Sequence, residues 1–279
     1  MSEPSVPSTG SVWRCGEVPV DSQFDAVYAP RTRTDRAGMP PAVAAHALTR
    51  YCRRGDLVLD PDCGAGTTLT EALRGGRHAV GLTADRRLWE IARANVTAAK
   101  RAGAIGDGTV LAGGTAVLSG IGGAGLIGRV ALVLTTIRSR PGSGPASTTA
   151  VDNLADTLSR CVPLLRPGGH VVITARPHRV DDELVDLPGL ILTAGRGAGL
   201  RPAQRRAALV ARTTLSRVAP KNRRPRDGRL RVMRVAHHDI VVLRAPDRPA
   251  LAAARLPREL RTGRLLHDLE CAELLRCAA

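Results

Sequence analysis

The strongest constraint on the fold is a short apolar run that ends in an acid and a glycine turn. Residues 56–68 are Asp-Leu-Val-Leu-Asp-Pro-Asp-Cys-Gly-Ala-Gly-Thr-Thr. Gly64 and Gly66 allow the backbone to approach a ligand closely, and the first N–H groups of a following helix are available to its polar groups. The spacing is not G-x-G-x-x-G, so a nicotinamide enzyme is less favoured. We therefore predict a strand, a ligand-binding turn and a helix in this segment.

Short apolar runs alternate with helical patterns along the rest of the chain. The patterns predict helices over 41–51, 67–73, 86–101, 153–165 and 182–197, and strands over 56–60, 78–82, 110–112, 129–134, 170–175, 206–213 and 238–244. This alternation indicates an α/β fold with a mostly parallel sheet. The last two strands lack a full intervening helix, which favours an antiparallel hairpin at the sheet edge. We expect one domain over 39–245, after an extended or partly disordered arm over 1–38 and before a C-terminal tail over 246–279.

Cysteine usage and hydropathy limit the cellular setting. The six cysteines among 279 residues form no Cys-x-x-Cys pair, and no signal-like stretch opens the sequence. No apolar run approaches the roughly 20 residues that span a bilayer. These features predict a reduced, cytoplasmic protein that is not an integral membrane protein. We expect no metal site, because His237, His238 and Asp239 are consecutive on a predicted strand and would point to alternate faces.

The positive charge of the chain is concentrated in one segment. The formal net charge is +16, and residues 201–234 hold twelve Arg and Lys residues against the single acid Asp227. The guanidinium group suits phosphate. We therefore predict nucleic-acid contacts from the following members of the segment: Arg205, Arg206, Lys221, Arg223, Arg224 and Arg226. A solvated basic loop without a partner is the alternative.

The segment from Val58 to Ala72 extends the glycine turn into a more specific pattern. It contains Val-Leu-Asp-Pro-x-Cys-Gly-x-Gly-Thr-Thr-Leu-x-Glu-Ala, which resembles the S-adenosylmethionine site of DNA amino-methyltransferases of the N4-cytosine and N6-adenine type. Further segments that resemble this family lie at 41–48, 77–81, 92–95, 164–169 and 238–242, so the resemblance covers about 35–245. It implies a Rossmann-like class I methyltransferase fold with a mostly parallel seven-stranded sheet, S-adenosylmethionine as cofactor and DNA as partner. The cofactor contacts that it implies are Asp60, Pro61, Cys63, Gly64, Gly66, Thr67 and Thr68.

Three positions outside the glycine turn depart from the family pattern. Family members usually end the second strand with Gly-x-Glu, whose carboxylate holds the ribose, but Thr83 stands there and Asp85 is the candidate substitute. Gly113-Gly114-Thr115 replaces a Gly-Asp pair, and Asp35-Arg36 replaces a His-Pro pair. Losing one charge-assisted hydrogen bond, worth roughly 1.5–3 kcal/mol, weakens binding about tenfold to a hundredfold or more. We therefore expect weakened cofactor binding.

The expected catalytic loop departs further. An exocyclic amine must donate its hydrogens to acceptors while its lone pair attacks the methyl group, and the family supplies Asp, Asn or Ser, then Pro-Pro and a base-stacking aromatic residue. This chain has Thr136-Ile137-Arg138-Ser139. The loop is degenerate, and no catalytic residue is assigned. Three functions remain open: a diverged or inactive DNA methyltransferase, a non-catalytic protein that binds nucleic acid or a protein partner, and a methyltransferase acting on RNA or a small molecule.

Overall fold

A β-sheet with helices on both faces organises the molecule. The computed structural model describes residues 10–120, 125–138, 148–177, 179–180, 183–211 and 236–247. The strands are β1 (Val12–Arg14), β2 (Leu57–Asp60), β3 (His78–Thr83), β4 (Gly108–Ala112), β5 (Val130–Thr136), β6 (Leu165–Ala175), β7 (Arg179–Val180), β8 (Glu183–Leu184), β9 (Arg201–Leu209) and β10 (His237–Arg244). The helices are α1 (Pro41–Tyr51), α2 (Thr67–Arg74), α3 (Arg86–Arg101), α4 (Thr148–Cys161) and α5 (Leu187–Gly197). Short 3₁₀ turns lie at Val20–Gln23, Pro30–Thr34, Thr115–Ser119 and Val162–Leu164.

The strand order of the main sheet is β1-β9-β10-β6-β5-β2-β3-β4. The five strands from β6 to β4 are parallel, whereas β10 is antiparallel to both β6 and β9. This arrangement confirms the predicted α/β fold, the mostly parallel sheet and the C-terminal antiparallel hairpin. The sheet has eight strands rather than the expected seven because β1 adds to its edge, pairing with β9 so that Trp13 lies opposite Ala208. β7 and β8 form a separate two-stranded sheet.

The core consists of two apolar layers, one on each face of the sheet. β5 is buried along its whole length except at its last residue. Its Leu132 and Leu134 pack in the layer formed with α1, α2 and α3. Val130 and Val133 pack in the opposite layer with α4 and α5. A central parallel strand covered on both faces explains why this segment is a nearly continuous apolar run.

Residues 10–38 form defined structure where an extended or partly disordered arm was expected. They contain β1 and two 3₁₀ turns, and they bury Trp13, Cys15, Tyr28 and Thr32. Apolar and aromatic residues at irregular spacing produce no helical or strand period, which is why the sequence pattern missed this packing. We refer to residues 10–40 below as the N-terminal arm. The proposed domain boundaries at 39 and 245 stay predictions.

Three element boundaries differ from the sequence predictions for local reasons. The helix expected to reach 165 ends at Cys161 and is followed by a 3₁₀ turn, and β6 begins at Leu165 and runs through the Pro-Gly-Gly sequence. α5 begins at Leu187 because the Asp186 side chain accepts from Gly189 N and caps the helix. β9 begins at Arg201, five residues earlier than expected, because it pairs with the far end of β10.

Candidate cofactor and acceptor site

The glycine turn lies at the carboxyl end of β2, where parallel α/β sheets bind ligands. Gly64 has φ +53° and Gly66 has φ +83°, both in the left-handed region. Cys63 N donates to Leu82 O at 2.8 Å, which ties the turn to β3. Gly66 precedes α2 without a side-chain cap, so N–H groups of the first helical turn have no partner within the helix. The turn therefore presents backbone donors at the edge of the sheet.

The two glycines are required for different close approaches. A Cβ at Gly66 would lie 3.0 Å from Cα and Cβ of Ala92 on α3, so Gly66 allows helix packing. A Cβ at Gly64 would collide with the side chains of Asp35 and Arg138. The open face of the turn at Gly64 is thus covered by two side chains of the chain itself.

Asp60 ends β2 beside this turn and is only 4% exposed. Its Oδ1 accepts from Asp62 N at 3.1 Å. Burial raises the pKa of Asp60 to about 7, and hydrogen bonds from Thr68 and Thr135 offset part of the rise. Asp60 therefore lies near its titration point at neutral pH and can hold or release a proton at the base of the site. Thr67 and Thr68, at the start of α2, are buried as well.

Arg138 and Asp35 form a buried ion pair on the glycine turn. Arg138 Nη2 donates to Asp35 Oδ1 at 2.5 Å, and Asp35 Oδ2 accepts from Ala65 N at 2.9 Å. The side chains of Arg138 and Asp35 are 15% and 5% exposed. Burial lowers the pKa of Arg138, but the hydrogen bond and charge of Asp35, with the charges of Asp62 and Asp60, outweigh it and raise the pKa. Arg138 is therefore a fixed cation at this turn.

One donor of that guanidinium is buried without an acceptor. Arg138 Nη1 is inaccessible to solvent and has no hydrogen-bond partner among the described residues. Asp62 Oδ2 lies 3.8 Å from Arg138 Nε. A buried charged donor without a partner costs free energy, so this atom marks a position where an added acceptor would be favourable.

Asn95 fastens the arm to the same turn from the side of α3. Its Oδ1 accepts from Ala29 N at 2.7 Å, and its Nδ2 donates to Ala65 O at 2.7 Å and to Thr32 Oγ1 at 2.8 Å. Asn95 is fully buried. Ala65 is therefore bound through both its N–H, by Asp35, and its carbonyl, by Asn95.

The expected ribose and adenine positions contain no free carboxylate directly at the strand ends. Thr83, the last residue of β3, is buried, and its carbonyl accepts from Gly113 N. Asp85 caps α3, with Oδ1 accepting from Arg87 N and Leu88 N at 2.8 and 3.2 Å. Thr115 begins a 3₁₀ turn. Any contact from Asp85 to a ribose would have to coexist with this cap.

The degenerate catalytic loop is tied to β6. Thr136 Oγ1 donates to Thr174 O at 3.3 Å, and Ile137 N donates to the same carbonyl at 2.9 Å. Ile137 is partly buried against the apolar core. Arg138 turns back to the glycine turn, and Ser139 lies outside the described residues. The described part of the loop therefore places its charge on the cofactor side rather than offering a second acceptor for an amine.

Cys63 and Pro61 belong to the turn without offering reactive chemistry. Cys63 is 5% exposed, and burial, with the charges of Asp60 and Asp62, raises the pKa of its thiol well above the ordinary value. A thiol in that state is a poor nucleophile.

Within the described part of the chain, no group of three or more His, Cys, Asp or Glu residues is placed to hold a metal ion. Nor does any helix there have the length and apolar character to cross a membrane.

The two described arginines among the predicted nucleic-acid contacts do not share one surface. Arg205 and Arg206 are consecutive on β9, opposite Val241 and Ile240 of β10, so their side chains point to opposite faces of the sheet. Arg206 Nη1 donates to Gly10 O at 3.0 Å, which uses it to hold the arm. Arg205 is exposed. Lys221, Arg223, Arg224 and Arg226 lie outside the described residues.

Asp35 and Asn95 are site residues that the sequence patterns did not identify. Asp35 was noted only as a departure from a His-Pro pair, and its partner Arg138 is 103 residues away. Asn95 lies at a core position of a helical pattern, where a polar residue surrounded by apolar ones signals a buried hydrogen-bonding role. That mismatch, together with its place in the family-like segment 92–95, points to it in the sequence.

The fold and the glycine turn together define a Rossmann-like class I methyltransferase architecture. The family model described as DNA methylase matches residues 2–94, which confirms the resemblance to DNA amino-methyltransferases over the arm, α1, the glycine turn and most of α3. No curated protein sequence matches the chain.

Two solved structures are similar to this chain, one of them with a TM-score above 0.5. TrmN from Thermus thermophilus is 18% identical with a TM-score of 0.51, and the match covers 77% of this chain and 52% of that protein. The chain thus spans about half the length of TrmN. The 1,6-didemethyltoxoflavin-N1-methyltransferase of Burkholderia thailandensis, solved with S-adenosylhomocysteine, is 20% identical with a TM-score of 0.48 over 77% of this chain and 81% of that one. At 18% identity the likeness to TrmN concerns the fold alone.

Proposed function

We propose that this protein binds S-adenosylmethionine at the glycine turn and nucleic acid, DNA foremost, without methylating exocyclic amines. It would be a methyltransferase-like protein of the N4-cytosine and N6-adenine type that keeps the cofactor site and has lost the acceptor chemistry. The observation that carries the proposal is the position of Arg138. It comes from the loop that should hold the amine, yet its guanidinium lies on the glycine turn.

The residues at the turn fit the amino-acid part of such a cofactor. The unpartnered Arg138 Nη1 is a buried cationic donor, and an α-carboxylate is the acceptor it lacks. Asp60 and Asp62 supply carboxylates for an ammonium group nearby, and the first N–H groups of α2 can donate to its oxygens. Asp85 is the proposed ribose contact, through the carboxylate oxygen that makes neither capping bond. S-adenosylmethionine, when bound, supplies an electrophilic methyl group on a sulfonium.

The chain's own groups set the electrostatics of this site. Arg138 would offset the charge of a bound carboxylate and of Asp35, while Asp60, with a pKa of about 7, adjusts its protonation to the ligand. The Asp35 carboxylate competes with a ligand for Ala65 N. Binding therefore requires that a ligand carboxylate join Arg138 at Nη1 rather than displace Asp35.

The acceptor side lacks what amine methylation needs. Attack by a nucleobase amine requires two acceptors for its hydrogens and an aromatic face for the extruded base. Thr136 donates its hydroxyl proton to Thr174 O and can accept one hydrogen bond. Ile137 packs into the core, and Arg138 is a donor. These assignments support binding without transfer.

Nucleic-acid binding is proposed from charge. The net charge of +16 and the arginine-rich segment over 201–234 favour phosphate contact. Such binding falls steeply with salt because it releases counterions, whereas a protein partner bound through apolar contacts would not respond in this way. RNA is the alternative nucleic acid, and it is compared with DNA in the experiment below.

The test is methyl transfer from S-adenosylmethionine carrying a tritiated methyl group. Duplex DNA, single-stranded DNA and RNA are incubated with the protein, and methylated nucleosides are separated after digestion. We expect no N6-methyladenine or N4-methylcytosine above the level of heat-denatured protein, together with salt-sensitive retention of DNA on a filter. Formation of either methylated base would contradict the proposed loss of acceptor chemistry. Label in RNA alone would instead support an RNA methyltransferase.

A further inference from the structure

A recess lies near the glycine turn, between the N-terminal arm and the ends of strands β6 and β10. It is a cavity of about 540 Å³, within the range of small-ligand sites. The arm provides one side from its two 3₁₀ turns and the segment before α1. The sheet provides the other from Arg176, directly after β6, and His238, near the start of β10. Because β10 is antiparallel to β6, with Asp239 opposite Ala175, these two residues meet at one edge. We call this space the arm cavity.

The arm cavity is lined by three arginines with unused donors. Arg33 donates from Nη2 to Phe24 O at 2.7 Å, and Arg176 donates from Nη2 to Arg36 O at 3.1 Å. Each guanidinium has five N–H donors, so both keep free ones. The Arg36 side chain makes no hydrogen bond or ion pair with the described residues and is exposed. The two acids in the lining are Asp21 and Asp35, and Asp35 is already paired with Arg138.

His238 is the buried polar group that faces this space. It is 5% exposed, it lines the arm cavity, and its imidazole makes no hydrogen bond with any described residue. Burial, together with the charges of Arg176 and His237, lowers its pKa to about 4, so the ring is neutral at pH 7 and can donate one N–H. A neutral imidazole that lines the cavity and makes no hydrogen bond with a described residue has an N–H available to a ligand acceptor.

Apart from Asp21 and Gly38, the remaining lining is apolar. It consists of Val20, Phe24, Met39, Pro40 and Val210. An anion alone would use the arginines and His238 and leave this surface unfilled, so the ligand has an organic part that lies against Phe24 and Met39.

We propose that the arm cavity binds a phosphate group carried by an organic ligand, with Arg36, Arg176 and His238 as its donors. The arginine forks and the neutral imidazole N–H provide the donors that phosphate oxygens accept. Two sources share this chemistry, a free phosphate monoester of nucleotide size and a phosphodiester of a nucleic-acid strand. A nucleic-acid strand as the ligand rests on the nucleic-acid binding proposed above, whereas a free monoester does not, and neither requires methyl transfer or a bound cofactor.

The experiment titrates the cofactor-free full-length protein with adenosine monophosphate, adenosine, inorganic phosphate and a ten-residue oligothymidylate. Binding is followed by calorimetry and by the imidazole resonances of His238 in nuclear magnetic resonance spectra. We expect adenosine monophosphate or the oligonucleotide to bind and shift the His238 resonances, with adenosine at least about tenfold weaker. Preference for the monophosphate identifies a free monoester ligand, and preference for the oligonucleotide identifies a nucleic-acid strand.

Variants separate the arm cavity from general charge attraction. Arg36→Gln and Arg176→Gln each remove one exposed charge from the lining, and each should weaken binding about tenfold or more. Arg101→Gln removes the same charge from the exposed end of α3 and should change affinity less than twofold. The proposal is overturned if neither phosphate ligand binds at 10 mM, or if all three variants weaken binding equally and the His238 resonances do not move.

Discussion

Removing only one partner of the buried Asp35–Arg138 pair should destabilise the fold strongly, whereas removing both should cost little. Replacing Arg138 by Met leaves the Asp35 carboxylate buried, with Ala65 N–H as its remaining donor and with Asp60 and Asp62 nearby. Removing one partner of a buried ion pair costs about 3–5 kcal/mol because the other charge stays uncompensated. At about 2–4 °C per kcal/mol for a chain of this size, the Tm should fall by roughly 6–20 °C.

The double variant Asp35→Asn with Arg138→Met removes both charges and keeps an amide oxygen for Ala65 N. It should recover most of the loss, giving a coupling free energy of about 2–4 kcal/mol in a double-mutant cycle. The assay is urea unfolding followed by circular dichroism at pH 7.5. Arg160→Met is the matched control, because the contacts of Arg160 with Asp156 and Ser119 are solvent-exposed and their loss should change stability little. Additive losses in the two single variants, or a loss from Arg138→Met as small as that of the control, would refute the buried-pair argument.

Three further changes test the turn and its supports. The pKa of Asp60 is about 7 in the native state instead of the ordinary 3.8, so the free energy of unfolding should decrease as pH rises from 4 to 7, by at most roughly 4 kcal/mol from this group. Asp60→Asn should flatten that pH dependence, and an unchanged slope in urea unfolding would contradict the raised pKa. Gly66→Ala should lower the free energy of unfolding by more than about 2 kcal/mol, because φ is +83° and the new Cβ would lie 3.0 Å from Ala92. The control Gly103→Ala, at φ +91° with open space around it, should cost only about 1 kcal/mol. Equal losses of stability would show that the close packing at Gly66 is unimportant. Asn95→Ala should lower the free energy of unfolding by about 3 kcal/mol or more, because it removes the hydrogen bonds that join the arm to the turn. It should also speed amide hydrogen exchange in residues 29–35. Unchanged exchange there would show that the arm is held by other contacts.

The parts of the fold that repeat a local pattern were predictable. β2, β3, β5 and α3 follow from apolar runs and helical spacing, and the glycine turn follows from Gly64 and Gly66. These features depend on neighbouring residues and on the burial of parallel strands. The antiparallel hairpin followed from the missing helix between the last two strands.

The site itself depends on contacts that span the chain. The arm carries no period, so neither β1 beside β9 nor Asp35 on the turn could be derived from spacing. Arg138 was identified as a replaced residue, but whether its guanidinium faced the turn depended on Asp35, 103 residues earlier. His238 was considered as part of a metal pattern and of a family-like strand, whereas its burial beside the arm cavity comes from the packing of the arm against β10.

The most direct test of the central claim is calorimetric titration of the purified, cofactor-free protein with S-adenosylmethionine, repeated with Arg138→Met and with the Arg160→Met control. If the glycine turn keeps its cofactor function and Arg138 receives the carboxylate, the wild type and the control should bind in the micromolar range, and Arg138→Met should bind about tenfold or more weakly. No heat of binding to the folded wild type at millimolar cofactor would contradict the account. It would leave a methyltransferase fold whose glycine turn is closed by its own Asp35–Arg138 pair.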